Sequence, residues 1–159
     1  MTLPDYLHVD PKYRLQLRID ALINWGLLIV ASLIALGWIP AEWRWVPGLA
    51  TILFILILLV MLFFWAPRRY QLTGYAVSEL DVHYRTGALW RTQTAVPVNR
   101  IQHVEISQGP IERMLGLSRL SLYTAGGAGS DLAIPGLAKS QAAQIRSQLL
   151  GLINEPDED

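Results

Sequence analysis

Two stretches of this chain carry no ionisable side chain: residues 21–39 (ALINWGLLIVASLIALGWI) and 45–67 (WVPGLATILFILILLVMLFFWAP). As helices at 1.5 Å per residue, 21–39 would measure about 28 Å and 46–66 about 31 Å. A bilayer core is roughly 30 Å thick, so each can cross it once. Asn24 and Ser32 are the strongly polar side chains of the first stretch, and Thr51 is that of the second. A buried core helix would be shorter and would carry polar residues at the helical period. A cleaved signal peptide would not follow about twenty residues of mixed charge, nor precede a second apolar run. Residues 40–45 (PAEWRW) are a turn bounded by Pro40 and Pro47-Gly48, so the two helices form a hairpin.

After Arg69 the period changes. In residues 77–85 (VSELDVHYR), Leu80, Val82 and Tyr84 alternate with Asp81, His83 and Arg85, which predicts a half-buried strand. Thr86-Gly87 supplies a turn, and residues 89–98 (LWRTQTAVPV) read as the hairpin partner. Residues 100–108 (RIQHVEISQ) and 117–124 (LSRLSLYT) are further strands, the second with Leu120 and Leu122 on one face. Between them, Gly109-Pro110 and residues 111–115 look like one helical turn closed by Gly116. A short strand at 131–134 follows the Gly-rich residues 125–129, and Pro135-Gly136 breaks the chain. In residues 138–153, Ala142, Ile145, Leu149 and Leu152 recur on one face of an amphipathic helix. The segments are therefore an N-terminal piece (1–20), a membrane hairpin (21–66), a mainly-β domain (67–153) and an acidic tail (154–159). Several antiparallel strands followed by one helix suit a small barrel or sandwich with its open end covered.

Charge then sets orientation. Lys12, Arg14 and Arg18 precede the first helix and Arg68 and Arg69 follow the second, whereas the turn has Arg44 opposed by Glu42. By the positive-inside rule both termini face the cytoplasm. Trp38, Trp43 and Trp45 then fall at the outer interface, and Trp25 and Trp65 near the inner one. Hydrophobic residues make up 52% of the chain and charged ones 16%, against roughly 25% in ordinary soluble domains. Thirteen basic residues cancel thirteen acidic ones, which disfavours nucleic acid as a partner. With no Cys, thiol catalysis, disulfides and Cys-ligated metals are excluded.

No reactive constellation emerges. His103 and Glu105 share a strand face at i and i+2, but His8 and His83 are isolated and offer no third ligand. The Gly-rich run 125–130 has Asp131 where a phosphate loop needs Lys, so it reads as a hairpin turn. No nucleophile elbow, zinc-protease helix or dinucleotide fingerprint is present. Catalytic, cofactor and metal residues are therefore assigned to none, and a small membrane enzyme ranks last among the functions.

Residues 69–73 (RYQLT), 96–104 (VPVNRIQHV), 108–117 (QGPIERMLGL) and 126–137 (GGAGSDLAIPGL) resemble the bacterial pleckstrin-homology (PH) domain. The order of two membrane helices and one such domain resembles the YdbS-like membrane proteins over roughly residues 7–153. The resemblance implies a PH-like fold, a bent antiparallel barrel of about seven strands capped by a C-terminal α-helix, and it brings no catalytic residue. It also implies a larger membrane partner with several PH-like domains, and a role in envelope stress or antimicrobial-peptide resistance. Eukaryotic PH domains that bind phosphoinositides place Lys and Arg around the first hairpin loop, where this chain has residues 74–76 (GYA) followed by Ser78 and Glu79. Residues 70–153 carry seven basic side chains against five acidic, too small an excess to demand anionic lipid. The leading expectation is a non-enzymatic membrane protein, in the cell's inner membrane, that presents its domain for assembly into homo- or hetero-oligomers. Lipid binding or lipid handling is the alternative.

Overall fold

The computed structural model describes residues 5–125 and 131–154. Its elements run β1 (Leu7–His8), α1 (Lys12–Trp38), α2 (Trp45–Val60), a π-helical turn (Met61–Trp65), α3 (Ala66–Leu72), β2 (Gly74–Val77), β3 (Asp81–Gly87), β4 (Arg91–Pro97), β5 (Ile101–Ser107), α4 (Pro110–Leu115), β6 (Leu117–Thr124), β7 (Leu132–Ala138) and α5 (Lys139–Asn154). The chain divides into two compact units: Arg14–Arg68, and Met1–Tyr13 joined with Arg69–Asp159.

The helical unit is a hairpin of the expected kind. Its two candidate spans, Lys12–Trp38 and Ala41–Leu72, have only 11% and 6% of their most apolar windows buried. A core helix of a soluble protein would be covered, so these apolar faces are made for lipid. The three polar side chains are all accommodated. Asn24 Nδ2 donates to Asp20 O, one turn back (2.7 Å). Ser32 and Thr51 face each other across the hairpin, their hydroxyl oxygens 2.7 Å apart and both buried. Thr51 Oγ1 can also donate to Pro47 O (2.8 Å) and Ser32 Oγ to Ile29 O (2.9 Å). Each hydroxyl has one proton, so one of them donates across the pair while the other donates to its own helix. Trp25 packs against Phe54, ring centroids 6.0 Å apart.

The second unit holds two antiparallel sheets, ordered β1-β2-β3-β4 and β5-β6-β7. Seven strands and a C-terminal helix agree with expectation, but the barrel is not closed. Among the described residues no ladder joins β4 to β5, because the chain turns through Val98–Arg100 between them. The first strand was not foreseen. Leu7 pairs with Tyr75 and His8 with Gly74. Val9 and Tyr13 behind it are buried, at 1% and 3% exposed. The Asp10 amide donates to Gly136 O (2.8 Å).

Three further details differ from the sequence reading. The predicted strand 77–85 is two strands: Ser78 Oγ donates to Asp81 O and accepts from Asp81 N, making a tight turn that throws Leu80 out to 77% exposure. Leu80 is therefore not a core residue, although Val82 and Tyr84 are. The turn after β3 comprises residues 88–90, while Gly87 still pairs with Arg91. Pro135-Gly136 does not end the last strand. Ser118 pairs with Leu137 and Leu120 with Ile134, so two residues of β7 oppose Arg119 in a bulge, where a missing N–H is tolerated. Gly136 takes φ +71° there.

Gly116 closes α4 at φ +73°, as its position predicted. Gly126 and Gly127, in the run that reads as a hairpin turn, lie outside the described residues, as does most of that run. Helix α5 packs on β5, β6 and β7 and on the turn at Val98–Arg100. Ala142, Ile145 and Leu149 are buried and Leu152 is half-buried, while Lys139, Ser140, Gln144, Ser147 and Gln148 face water. The core is thus the inner face of the three-stranded sheet, with Leu120, Leu122 and Ile134 fully covered.

Candidate functional site

His103 and Glu105 lie on β5, exposed, with Tyr123 of β6 beside them. The Tyr123 hydroxyl donates to Glu105 Oε2 (2.8 Å), and the Tyr123 and His103 rings are 5.7 Å apart. That hydrogen bond to the carboxylate raises the Tyr123 pKa, making it a poorer proton donor. His8 packs near the Tyr70 ring at 6.5 Å, and His83 sits in β3 opposite Ala76 and Ala95. The structure therefore brings His103 and Glu105 together with a tyrosine and with neither of the other histidines. Among the described residues no group of three or more His, Asp or Glu side chains is arranged to hold a metal.

Among the described residues the buried acid of the domain is Glu112. Its Oε2 accepts the Gly109 amide (2.7 Å) at the start of α4, and its Oε1 meets Arg119 Nη2 at 3.4 Å. Those contacts close a helix N-terminus and tie it to β6, a structural assignment.

Two surface features remain, and neither was singled out in the sequence. The first begins at Gly74. Because it opposes Arg85 in the β2–β3 ladder and has no side chain, Arg85 can lie across it. An added Cβ at Gly74 would stand 3.3 Å from Arg85 Nε and 3.0 Å from Leu7 O. The Arg85 guanidinium carbon is 4.2 Å from the Tyr6 ring centroid, a cation–π contact. Among the described residues its buried Nε has no hydrogen-bond partner. Arg85 lines a cavity of about 130 Å³ with Leu72, Thr86, Arg91, Thr92 and Gln93. That is an order of magnitude above the roughly 10–15 Å³ one water needs. Two guanidiniums, two hydroxyls and an amide suit an anion with several acceptor oxygens. At the adjoining hairpin tip, Leu89 and Trp90 are 75% and 84% exposed. A large aromatic flanked by Arg91 on a solvent-facing turn is not a packing residue.

The second feature is a groove of about 500 Å³ between the β2–β3 turn and the last turn of α5. Leu80, Val98, Leu152 and Ile153 give it apolar walls, with Glu79 and Asp81 at its rim. The sequence signal existed, in the Ser78–Asp81 spacing of a two-residue turn, but alternation hid it by placing Leu80 with the core.

The chain matches the family described as "Bacterial PH domain" over residues 21–153. It is 30% identical over 133 residues to the UPF0699 transmembrane protein YdbS of Bacillus subtilis (strain 168), covering 84% of this chain and 82% of that protein. No solved structure matches.

Proposed function

This chain belongs to the bacterial PH domain family, and from that premise we propose that it is a non-enzymatic integral membrane protein whose PH-like domain faces the cytoplasm and assembles with a partner membrane protein. One observation carries the reading. Among the described residues strand β4 is the longer of the two edges of its sheet, seven residues long, and runs directly from the exposed Leu89–Trp90 tip. An unprotected edge beside exposed apolar side chains invites an added strand from another chain. The partner that the resemblance implies is a larger membrane protein with several PH-like domains, and the process is envelope stress or antimicrobial-peptide resistance. Pairing of Leu7 with Tyr75 supports a hairpin with both ends on one side of the bilayer. Lys12, Arg14, Arg18, Arg68 and Arg69 favour the cytoplasm for that side.

Two experiments test it. Tagged full-length protein, solubilised from its native membranes in mild detergent, should carry the multi-domain partner in fixed ratio; a chain that runs alone refutes assembly. Alkaline phosphatase fused after Asp159 should be inactive, and activity refutes the orientation.

The Arg85 cavity favours a second reading, anionic-lipid binding, because its unpartnered Nε and the neighbouring Arg91 match a phosphate group. Native mass spectrometry of the full-length protein should then show phosphatidylglycerol retained by the wild type and lost in Arg85→Gln with Arg91→Gln. Equal retention removes that reading.

A further inference from the structure

The assembly reading says that a partner docks; the groove between the β2–β3 turn and α5 says what chemistry it must bring. Leu80 stands at the tip of its turn with its backbone fixed on both sides. Ser78 and Asp81 exchange hydrogen bonds around it (2.9 and 3.0 Å), and the Val98 amide donates to Leu80 O (2.8 Å). An aliphatic side chain 77% exposed on an ordered turn loses little freedom when a partner covers it. Leu152 and Ile153 continue the apolar surface on the helix side, over a floor at Val98.

The electrostatics of this groove have one sign. Glu79 and Asp81 flank Leu80, and among the described residues neither acid forms a salt bridge. No Lys or Arg lines the groove; Arg100, exposed next to Asn99, is not among its walls. Helix α5 ends here with no basic residue in its last turn, so its terminal carbonyls add the negative end of the helix dipole.

Resting on the assembly reading, we infer that this groove docks a cationic amphipathic segment of the partner protein, one that seats an aliphatic side chain against Leu80 and places Lys or Arg beside Glu79 and Asp81. Charge complementarity selects this occupant. An anionic membrane surface is repelled by the same acids, and an acidic or neutral polar segment gains nothing from them.

The test uses full-length protein in phosphatidylcholine nanodiscs and a short labelled peptide with Leu at helical spacing and Lys between. The wild type should bind it saturably, more weakly as salt rises, and should not bind the same peptide with Glu in place of Lys. Leu80→Gln should weaken binding roughly tenfold, and Glu79→Gln with Asp81→Asn should weaken it and flatten the salt dependence. Thermal melts should not move for Leu80→Gln, since the side chain already faces water; if they do, the charge variant decides alone. Equal binding of the Lys and Glu peptides, or wild-type affinity in both variants, overturns the inference. Co-purification separates the two levels. A native partner retained by Leu80→Gln sinks the groove and leaves assembly standing, whereas no partner on the wild type sinks assembly. Loss, in Leu80→Gln, of association between two differently tagged copies of this chain would make the occupant a second copy and overturn the partner-protein assignment.

Discussion

Replacing Gly136 with Ala should cost this domain far more than one methyl group suggests. Gly136 sits at φ +71° in the β7 bulge, where an L side chain pays roughly 1–2 kcal/mol. Its added Cβ would also lie 2.4 Å from Tyr13 Cγ and 2.5 Å from Cδ2, against a contact distance of about 3.5–4.0 Å. The ring must therefore move by over an ångström, and Tyr13 is only 3% exposed. A tyrosine buries on the order of 150–250 Å², so expelling the ring forfeits about 4–6 kcal/mol at roughly 25 cal/mol per Å². A partial retreat costs less, and we expect about 3–6 kcal/mol in all. A domain of this size has about 5–15 kcal/mol. Denaturant melts of the full-length protein give the total. Hydrogen exchange at the Asp10 amide, bonded to Gly136 O, reports the local detachment. In a Tyr13→Gly background the contacts with the ring and with Tyr13 Cβ (2.7 Å) are both gone, and Gly136→Ala should add only about 1–2 kcal/mol. A Gly136→Ala melt within about 0.5 kcal/mol of wild type, with Asp10 still protected, would refute the argument.

The Ser32–Thr51 hydroxyl pair should be worth about 0.6 kcal/mol, and up to roughly 1.7, in a double-mutant cycle with Ser32→Ala and Thr51→Ala; zero coupling means that the hydroxyls do not meet in the bilayer. Asp131 accepts from the Thr124 hydroxyl and amide, which lower its pKa. A depressed carboxylate stabilises the fold above its unfolded value and loses that contribution as pH falls through the folded one. Asp131→Asn should therefore be less stable than wild type at neutral pH and equal to it in acid, below both values; a gap unchanged across that range would contradict this. Ile145→Asp should melt far below Gln144→Asp, because Ile145 is buried on the sheet and Gln144 is exposed, and equal melting points would show that α5 is not docked.

The elements that could be read from the sequence are those whose signal is local. Both spans follow from uncharged runs, Gly116 from a helix stop, and β6 and α5 from alternation and helical spacing within a single segment. The misses need partners far away in the chain. Two residues, Leu7 and His8, have no period at all, and only Tyr75 and Gly74 make them a strand. Pro135-Gly136 has the composition of a break, and only the continued pairing of Leu137 with Ser118 reveals a bulge. Leu80 fits the alternation of β3, yet the Ser78 hydroxyl fixes a turn one residue before that strand begins. The Arg85 cavity depends on a glycine opposite an arginine, a cross-strand relation that no spacing along the chain records.

The hairpin is inserted between the first strand of the domain and the second, and this makes the bilayer part of the domain's folding problem. Leu7 must find Tyr75 across an intervening chain that includes both spans. Closing a flexible loop of that length is entropically costly, with about 0.6 kcal/mol for each doubling of length. Once the spans are inserted and paired at Ser32 and Thr51, their ends are no longer free to wander, and the effective loop shrinks several-fold. The membrane then does for this Cys-free domain what a crosslink does for a secreted one: it narrows the unfolded ensemble without touching a native contact. It follows that insertion should favour the pairing of β1 with β2 by about 1 kcal/mol, and that a solvent which lets the two helices separate should weaken that pairing by a similar amount.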